Sequence, residues 1–211
     1  MTTTTIAAFD FDATLTRRDS VVPFLRRVAG TSRLVGGLLV RPGRVLPAVA
    51  RRDRDALRAV ASEAALRGVS RDNFDRHAAE LAVRIIHDGL RDDTVARLGW
   101  HRQQGHQIVI VSASYEQYVR LVGDHLGVDD VLATRVEFDP AGCCTGRLVG
   151  ANCRGAEKVR RLSEWMRSRG VKRGDATIWA YGDSNGDRAM LEFANHSVWV
   201  GDPLASVAPT V

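Results

Sequence analysis

Two aspartates, Asp10 and Asp12, end the first apolar run of the chain, Thr5-Ile6-Ala7-Ala8-Phe9, and Ala13-Thr14-Leu15-Thr16 follows them. A carboxylate at the end of a buried strand is expensive unless a cation or a proton meets it. Two of them one residue apart point to metal binding or to nucleophilic and acid–base work. Groups of the same character recur downstream. Ser112 closes the apolar run at 108–111, and Lys158 stands near the start of a helical pattern. Gly182-Asp183-Ser184-Asn185-Gly186-Asp187 then places two more acids in a loop after a strand-like run. Hard oxygen ligands with retained waters suit Mg2+. A metal beside Lys158 would neutralise a phosphoryl group, whose transfer needs positioning and electrostatic stabilisation above all. One of the aspartates could attack phosphorus and carry the phosphoryl group as an aspartyl-phosphate.

The elements that must position these groups are legible in outline. The apolar runs at 5–9, 108–111, 177–181 and 197–200 read as short buried strands, with helical periods at 91–103, 114–126, 156–169 and 188–194. Strands alternating with helices of this size predict an α/β fold, a doubly wound, mostly parallel sheet. Ligands sit beyond the carboxyl ends of such strands, where the unusual polar residues fall. Ser114 and Gln117 have capping-box spacing, which predicts that the helix at 114–126 starts at Ser114 and aims free N–H groups at an anion. Residues 17–89 show helical periods and no strand, and read as a helical cap inserted after the first strand. The expected division is therefore a catalytic core of 1–16 and 90–211 and a cap of 17–89. A hairpin is expected within 131–149, turning at Asp139-Pro140-Ala141-Gly142.

The order Asp-x-Asp-x-Thr-Leu-Thr, then Ser, then Lys, then Gly-Asp-Ser-x-x-Asp resembles the haloacid dehalogenase-like phosphatases over essentially the whole chain. The helical insertion is similar to the cap of their phosphoserine-phosphatase-like branch (subfamily IB). The resemblance implies a Mg2+-dependent phosphomonoester hydrolase in which Asp10 is the nucleophile and Asp12 the general acid, then base. It implies that Asp10, Asp183 and the Asp12 carbonyl hold Mg2+, with Asp187 orienting that shell or Lys158. Ser112 and the Ala113 N–H would bind phosphoryl oxygens beside Lys158, with Thr14 and Asn185 as lesser substrate contacts. Ala13 replaces a common glycine or serine, and Ser112-Ala113-Ser114 replaces Ser-Gly-Gly. Asp19 takes the place of a substrate-reading glutamate, and Gly186 that of an asparagine, displaced here to Asn185. The first of the substrate-site changes, together with Asp19, argues against phosphoserine itself and leaves the leaving group open.

Composition bounds the rest. The chain has 211 residues and a net charge of +5, yet only two of its 30 basic residues, Lys158 and Lys172, are lysines. Residues 17–54 hold ten arginines against two aspartates. Such density suits an anionic substrate or membrane surface, or simply a solvated arginine face. A lipid phosphate is therefore the alternative to a small phosphorylated metabolite, with peripheral membrane contact as a corollary. A non-catalytic phosphate- or nucleic-acid-binding module is the alternative of another class. The N-terminus lacks the pattern of a signal peptide, which predicts a cytoplasmic protein. Leu34-Val35-Gly36-Gly37-Leu38-Leu39-Val40 is too short to span a bilayer and reads as cap core. Cys143, Cys144 and Cys153 match neither a zinc spacing nor a disulfide framework. The six histidines show no metal-ligand spacing, and the four tryptophans read as core or interface.

Overall fold

A computed structural model of the chain describes residues 4–51 and 54–201. The chain enters through β1 (Thr4–Phe9) and leaves the sheet for five helices: α1 (Val21–Ala29), α2 (Thr31–Leu39), α3 (Pro42–Ala50), α4 (Arg54–Leu66) and α5 (Arg71–Arg84). A wide helical turn at Ile85–Gly89 leads into α6 (Asp92–Gln103), β2 (Gln107–Tyr115), α7 (Glu116–Leu126) and β3 (Asp130–Thr134). A hairpin of β4 (Val136–Phe138) and β5 (Cys144–Leu148) precedes α8 (Ala156–Ser168), β6 (Ala176–Gly182), α9 (Arg188–Phe193) and β7 (His196–Trp199). The main sheet has the order β3-β2-β1-β6-β7 with every neighbouring pair parallel.

Strands covered on both faces read as continuous apolar runs, and their alternation sorts the side chains between two layers. Ala7, Phe9, Ile108, Ile110, Trp179 and Tyr181 face the layer of α6 and α7. Ile6, Ala8, Val109, Val111, Ile178 and Ala180 face Leu162 and Met166 of α8 and Met190 and Leu191 of α9. β1 is central because the chain builds β2 and β3 on one side of it and β6 and β7 on the other. The order therefore reverses between β1 and β6, and a crevice opens at their carboxyl ends.

The helical insertion reaches over that crevice through Arg58 of α4. Phe24 and Phe74 pack edge to face at 5.0 Å, and Phe24 lies 5.2 Å from Tyr118 of α7, so one apolar cluster joins the insertion to the sheet layer. The entering and leaving strands of the insertion pair with each other. The Arg17 N–H donates to the Gly89 carbonyl at 2.7 Å, and the Arg91 N–H to the Leu15 carbonyl at 2.9 Å. The expected turn forms in the β4–β5 hairpin, where the Gly142 N–H donates to the Asp139 carbonyl at 2.9 Å and Gly142 takes φ +78°. The hairpin's outward backbone bonds go to the insertion: Gly68 N–H to Cys144 O and Cys144 N–H to Val69 O, both 2.7 Å. The hairpin is thus tied by its backbone to the end of α4 and the turn that follows it.

Two sequence expectations change. β3 is a strand that the apolar runs did not reveal, because it is a short edge strand opening on Asp130. The helix expected from Ser114 begins at Glu116 instead, with Tyr115 at the cap position, where its side chain makes no capping bond. β2 continues through Ser114, whose hydroxyl is committed to Asp12 at 2.6 Å, so the capping box does not form. The three cysteines are free thiols. Trp165 and Trp179 are core, while Trp199 is exposed.

A polar seam runs beneath the sheet on the α6 side. His101 is fully buried, with Nε2 2.8 Å from the Tyr181 hydroxyl and Nδ1 2.7 Å from His106 Nδ1. Burial, with the neighbouring His106 and Arg97, lowers its pKa to about 3. The unfolded chain therefore takes up a proton below its ordinary value near 6.5 that the folded chain refuses. Stability from this group is complete above that value and falls as the pH drops, by roughly 1.4 kcal/mol per pH unit. His101→Gln is expected to be less stable at neutral pH but to show a flatter dependence between about pH 6.5 and 5. Denaturant titrations of both proteins across that window check it; parallel slopes would contradict it.

Candidate active site

The carboxyl ends of β1, β2 and β6 and the first turn of α8 converge on a cavity of about 250 Å³. Asp10 follows β1 directly, and its N–H continues the ladder to the Tyr181 carbonyl at 2.9 Å. The next turn wraps on the Phe11 carbonyl, which accepts from the N–H groups of Thr14, Leu15 and Thr16. That tight wrap puts Ala13 at φ +56°, a conformation that costs a non-glycine residue about 1–2 kcal/mol. The strain sits at the mouth of the cavity, beside both aspartates.

Lys158 is the third residue of α8 and is 1% exposed. Its ammonium donates to Asp10 Oδ1 and, at 2.6 Å, to Asp187 Oδ1. Asp187 uses its other oxygen to accept from the Ser184 N–H at 3.0 Å and the Ser184 hydroxyl at 2.8 Å. The loop is held close by Gly182, where an added Cβ would lie 2.4 Å from the Cβ of Asp187. The N-terminus of α8 is tied to the same loop by the Gly155 N–H, which donates to the Gly186 carbonyl at 2.8 Å. Burial alone would lower the Lys158 pKa; the flanking Asp10 and Asp187 reverse this and hold it above the ordinary lysine value. Burial likewise pushes the Asp10 carboxyl up to about 6, although Lys158 pulls against it.

Asp12 stands apart from this ion cluster. Its Oδ1 accepts from the Ser20 N–H at 3.1 Å and the Ser20 hydroxyl at 2.6 Å, and its Oδ2 from the Ser114 hydroxyl. Desolvation, reinforced by Asp19, outweighs these three donors and raises its pKa to about 7. Two carboxyls in one cavity thus have different environments: Asp10 faces an ammonium, whereas Asp12 faces only neutral hydroxyl and amide donors. That separation suits a division of labour between an anion and a proton carrier.

Asp10, Asp183 and Asp187 bring carboxylate oxygens within 4.8 Å of one another. Burial and the nearby Asp187 raise the Asp183 pKa. Five carboxylates line the cavity against three cationic side chains, Arg58, Arg154 and Lys158. A crowded set of hard oxygen donors with more negative than positive charge fits a divalent cation such as Mg2+.

Of the residues expected to touch substrate, Ser112 and Ala113 line the cavity. The Ser112 hydroxyl accepts from the Ser114 N–H at 3.1 Å. Thr14 and Asn185 do not line it. Thr14 is fully buried behind the loop, its hydroxyl 3.4 Å from Asp183 Oδ1, so it contacts an acid of the cluster rather than the cavity. Asn185 is exposed at the outer side of its loop. Three lining or supporting residues, Ser20, Arg58 and Arg154, escaped the sequence reading, and Ser114 takes a role other than the cap expected of it. Ser20 and Ser114 secure Asp12; Arg58 of α4 and Arg154 before α8 bring guanidinium groups to the mouth. Arg58 donates to the Ala113 carbonyl. Asp55, one turn before Arg58, accepts from Asn152 Nδ2 at 2.6 Å, so α4 clasps the rim opposite it. A larger hollow of about 530 Å³ lies at the β3 edge, but its charged side chains pair among themselves, as Arg120 does with Glu116 and Asp130.

Comparison with known proteins bears on the family and the fold. A family model described as haloacid dehalogenase-like hydrolase matches residues 7–192. Protein CicA of Caulobacter vibrioides is 36% identical over 191 residues, covering 90% of this chain and 83% of that protein. In the solved structures, a protein of unknown function from Bordetella pertussis Tohama I superposes with a TM-score of 0.72 at 23% identity, covering 94% of this chain and 90% of the other. A phosphoserine phosphatase, solved as a phospho-aspartyl intermediate analogue, superposes with a TM-score of 0.65 at 18% identity, covering 93% and 86%. These two likenesses establish a shared fold, a five-stranded parallel sheet flanked by helices.

Proposed function

The chain belongs to the haloacid dehalogenase-like hydrolases, and from that membership we propose that it is a Mg2+-dependent phosphomonoesterase working through an aspartyl-phosphate on Asp10. The observation that carries this reading is the buried ammonium of Lys158 held between Asp10 and Asp187, with Asp183 beside them, at the carboxyl end of the central strand. Asp10 attacks phosphorus through one carboxylate oxygen. Ser112 and the Ala113 N–H receive the phosphoryl oxygens, and Lys158 offsets their charge. Asp12, whose burial raises its pKa toward neutral pH, gives its proton to the departing alkoxide and then takes one from the water that hydrolyses the acyl phosphate. Ser20 and Ser114 fix the direction in which that carboxyl points. Asp10, Asp183 and the Asp12 carbonyl would hold Mg2+, with Asp187 behind them. When bound, the ion withdraws charge from the phosphoryl group.

A cavity of about 250 Å³ supports a small phosphorylated metabolite as the substrate, and Arg58 and Arg154 at its mouth favour a leaving group with an acidic substituent. Phosphate-release assays over chemically diverse phosphomonoesters, with Mg2+ and with a chelator, test the reading. Release from at least one ester, abolished by chelation, is expected; no release from any would sink it. Asp12→Asn is expected to lose about 10²–10⁴-fold on alkyl phosphates, where the leaving oxygen needs a proton. With an aryl phosphate the same variant is expected to release the phenol in a burst and then turn over slowly. Equal losses in both phases for both ester types would remove Asp12 from its role.

A further inference from the structure

α2 and α3 leave several of their large apolar side chains outward. In α2, Leu34 is buried and Gly37 packs so closely on α4 that an added Cβ would lie 2.6 Å from the Ala64 Cβ. Leu39 on the other side of the helix is 73% exposed, and Val40, in the turn to α3, is 74% exposed. α3 repeats the arrangement: Ala48 is buried while Leu46, at 66%, and Val49 face out. A surface helix usually buries its large apolar residues; here Leu34 and, in part, Leu38 turn inward, while Val35, Leu39, Leu46 and Val49 stay outside. The segment at 34–40, expected as cap core, is thus in good part a surface, and a cluster of exposed apolar side chains marks a binding face.

The charge around this face is mostly positive. Residues 21–51 contain six arginines and no acidic residue. Arg41 and Arg44 pair with Glu63 of α4, whereas Arg26, Arg33 and Arg51 have no carboxylate partner among the described residues, Arg33 donating to the Arg67 carbonyl. A second copy of the chain would bring two such arginine sets together, which disfavours self-association. Each helix has nine residues, so the pair can lie in an interface but not cross a bilayer. No described helix is long and apolar enough to cross one.

We propose that the α2–α3 pair docks the protein onto an anionic lipid bilayer, with Leu39, Val40 and Leu46 entering the headgroup boundary and the arginines without a carboxylate partner meeting lipid phosphates. None of these residues lines the catalytic cavity, so the docking stands independently of the reaction proposed there. Each arginine near an anionic surface strengthens binding about fivefold, so three give about a hundredfold preference.

Cosedimentation of the full chain with vesicles of phosphatidylcholine alone, and of phosphatidylcholine mixed equally with phosphatidylglycerol, tests this. Binding to the mixed vesicles is expected to be about a hundredfold tighter and to weaken with salt. The combined variant Leu39→Ser, Val40→Ser, Leu46→Ser is expected to lose vesicle binding while keeping its thermal midpoint. Arg33→Gln with Arg51→Gln is expected to weaken binding about twenty-fivefold with the apolar tip intact. Equal partition to both vesicle types would overturn the proposal, as would undiminished binding by the triple serine variant. So would a concentration-dependent dimer that the serine variant abolishes in a protein that ignores vesicles.

Discussion

Asp10→Asn is expected to lower phosphate release between about 10⁴- and 10⁶-fold, the scale on which enzymes lose rate when a nucleophile is removed. The carboxamide keeps an oxygen for the Lys158 ammonium but cannot displace an alkoxide from phosphorus. The loss is expected in kcat rather than in KM, because the remaining phosphoryl contacts, Ser112, Ala113 and Lys158, are untouched. Thermal unfolding of the variant should stay close to that of the parent, since the buried carboxylate it replaces is itself disfavoured by desolvation. Steady-state phosphate assays with a melting curve on the same preparation check both parts. A variant within tenfold of the parent rate would remove Asp10 from the chemistry.

Lys158→Met is expected to damage the fold as well as the reaction. The ammonium is the link between Asp10 and Asp187, and the cluster is almost wholly buried. Removing one partner of a buried ion pair costs about 3–5 kcal/mol, because the remaining charges lie uncompensated. In a domain of this size that corresponds to a drop of roughly 6–20 °C in the melting temperature. The deficit should narrow as the pH falls and the two carboxyls take up protons, and should narrow again when Mg2+ is added. Activity is expected to fall at least about 10²-fold, the scale for losing one preorganised group facing developing charge. Differential scanning calorimetry at two pH values, with and without Mg2+, distinguishes this from simple loss of packing. A deficit unchanged by pH and metal would mean that Lys158 acts through its methylenes alone.

What could be read from the sequence divides along physical lines. Asp10, Asp12, Ser112, Lys158, Asp183 and Asp187 stood out because folding alone gives no reason to place such groups at the ends of apolar strands, and all six line one cavity. Arg58 and Arg154 gave no signal, since 28 arginines make any single one anonymous. Ser114 has the spacing of a helix cap, and only the approach of Asp12 across the crevice shows that its hydroxyl is spent elsewhere. Asn185 and Thr14 follow their motifs in order but lie outside the cavity, because motif order says nothing about which side of a loop a residue occupies. The apolar stretch at 34–40 shows the same gap from the other direction. Its composition is that of a core helix, and the close Gly37–Ala64 contact determines which side turns inward.

The central claim is that Asp10 carries the phosphoryl group, and the Asp12→Asn variant supplies the means to see it. Supplied with Mg2+ and an aryl phosphate, whose leaving group needs no proton, it should form the acyl phosphate quickly and hydrolyse it only slowly. Mass spectrometry of the acid-quenched protein is then predicted to show one added phosphoryl group, sensitive to hydroxylamine and confined to the peptide containing Asp10. Phenol release with no adduct, or an adduct on another residue, would contradict the account.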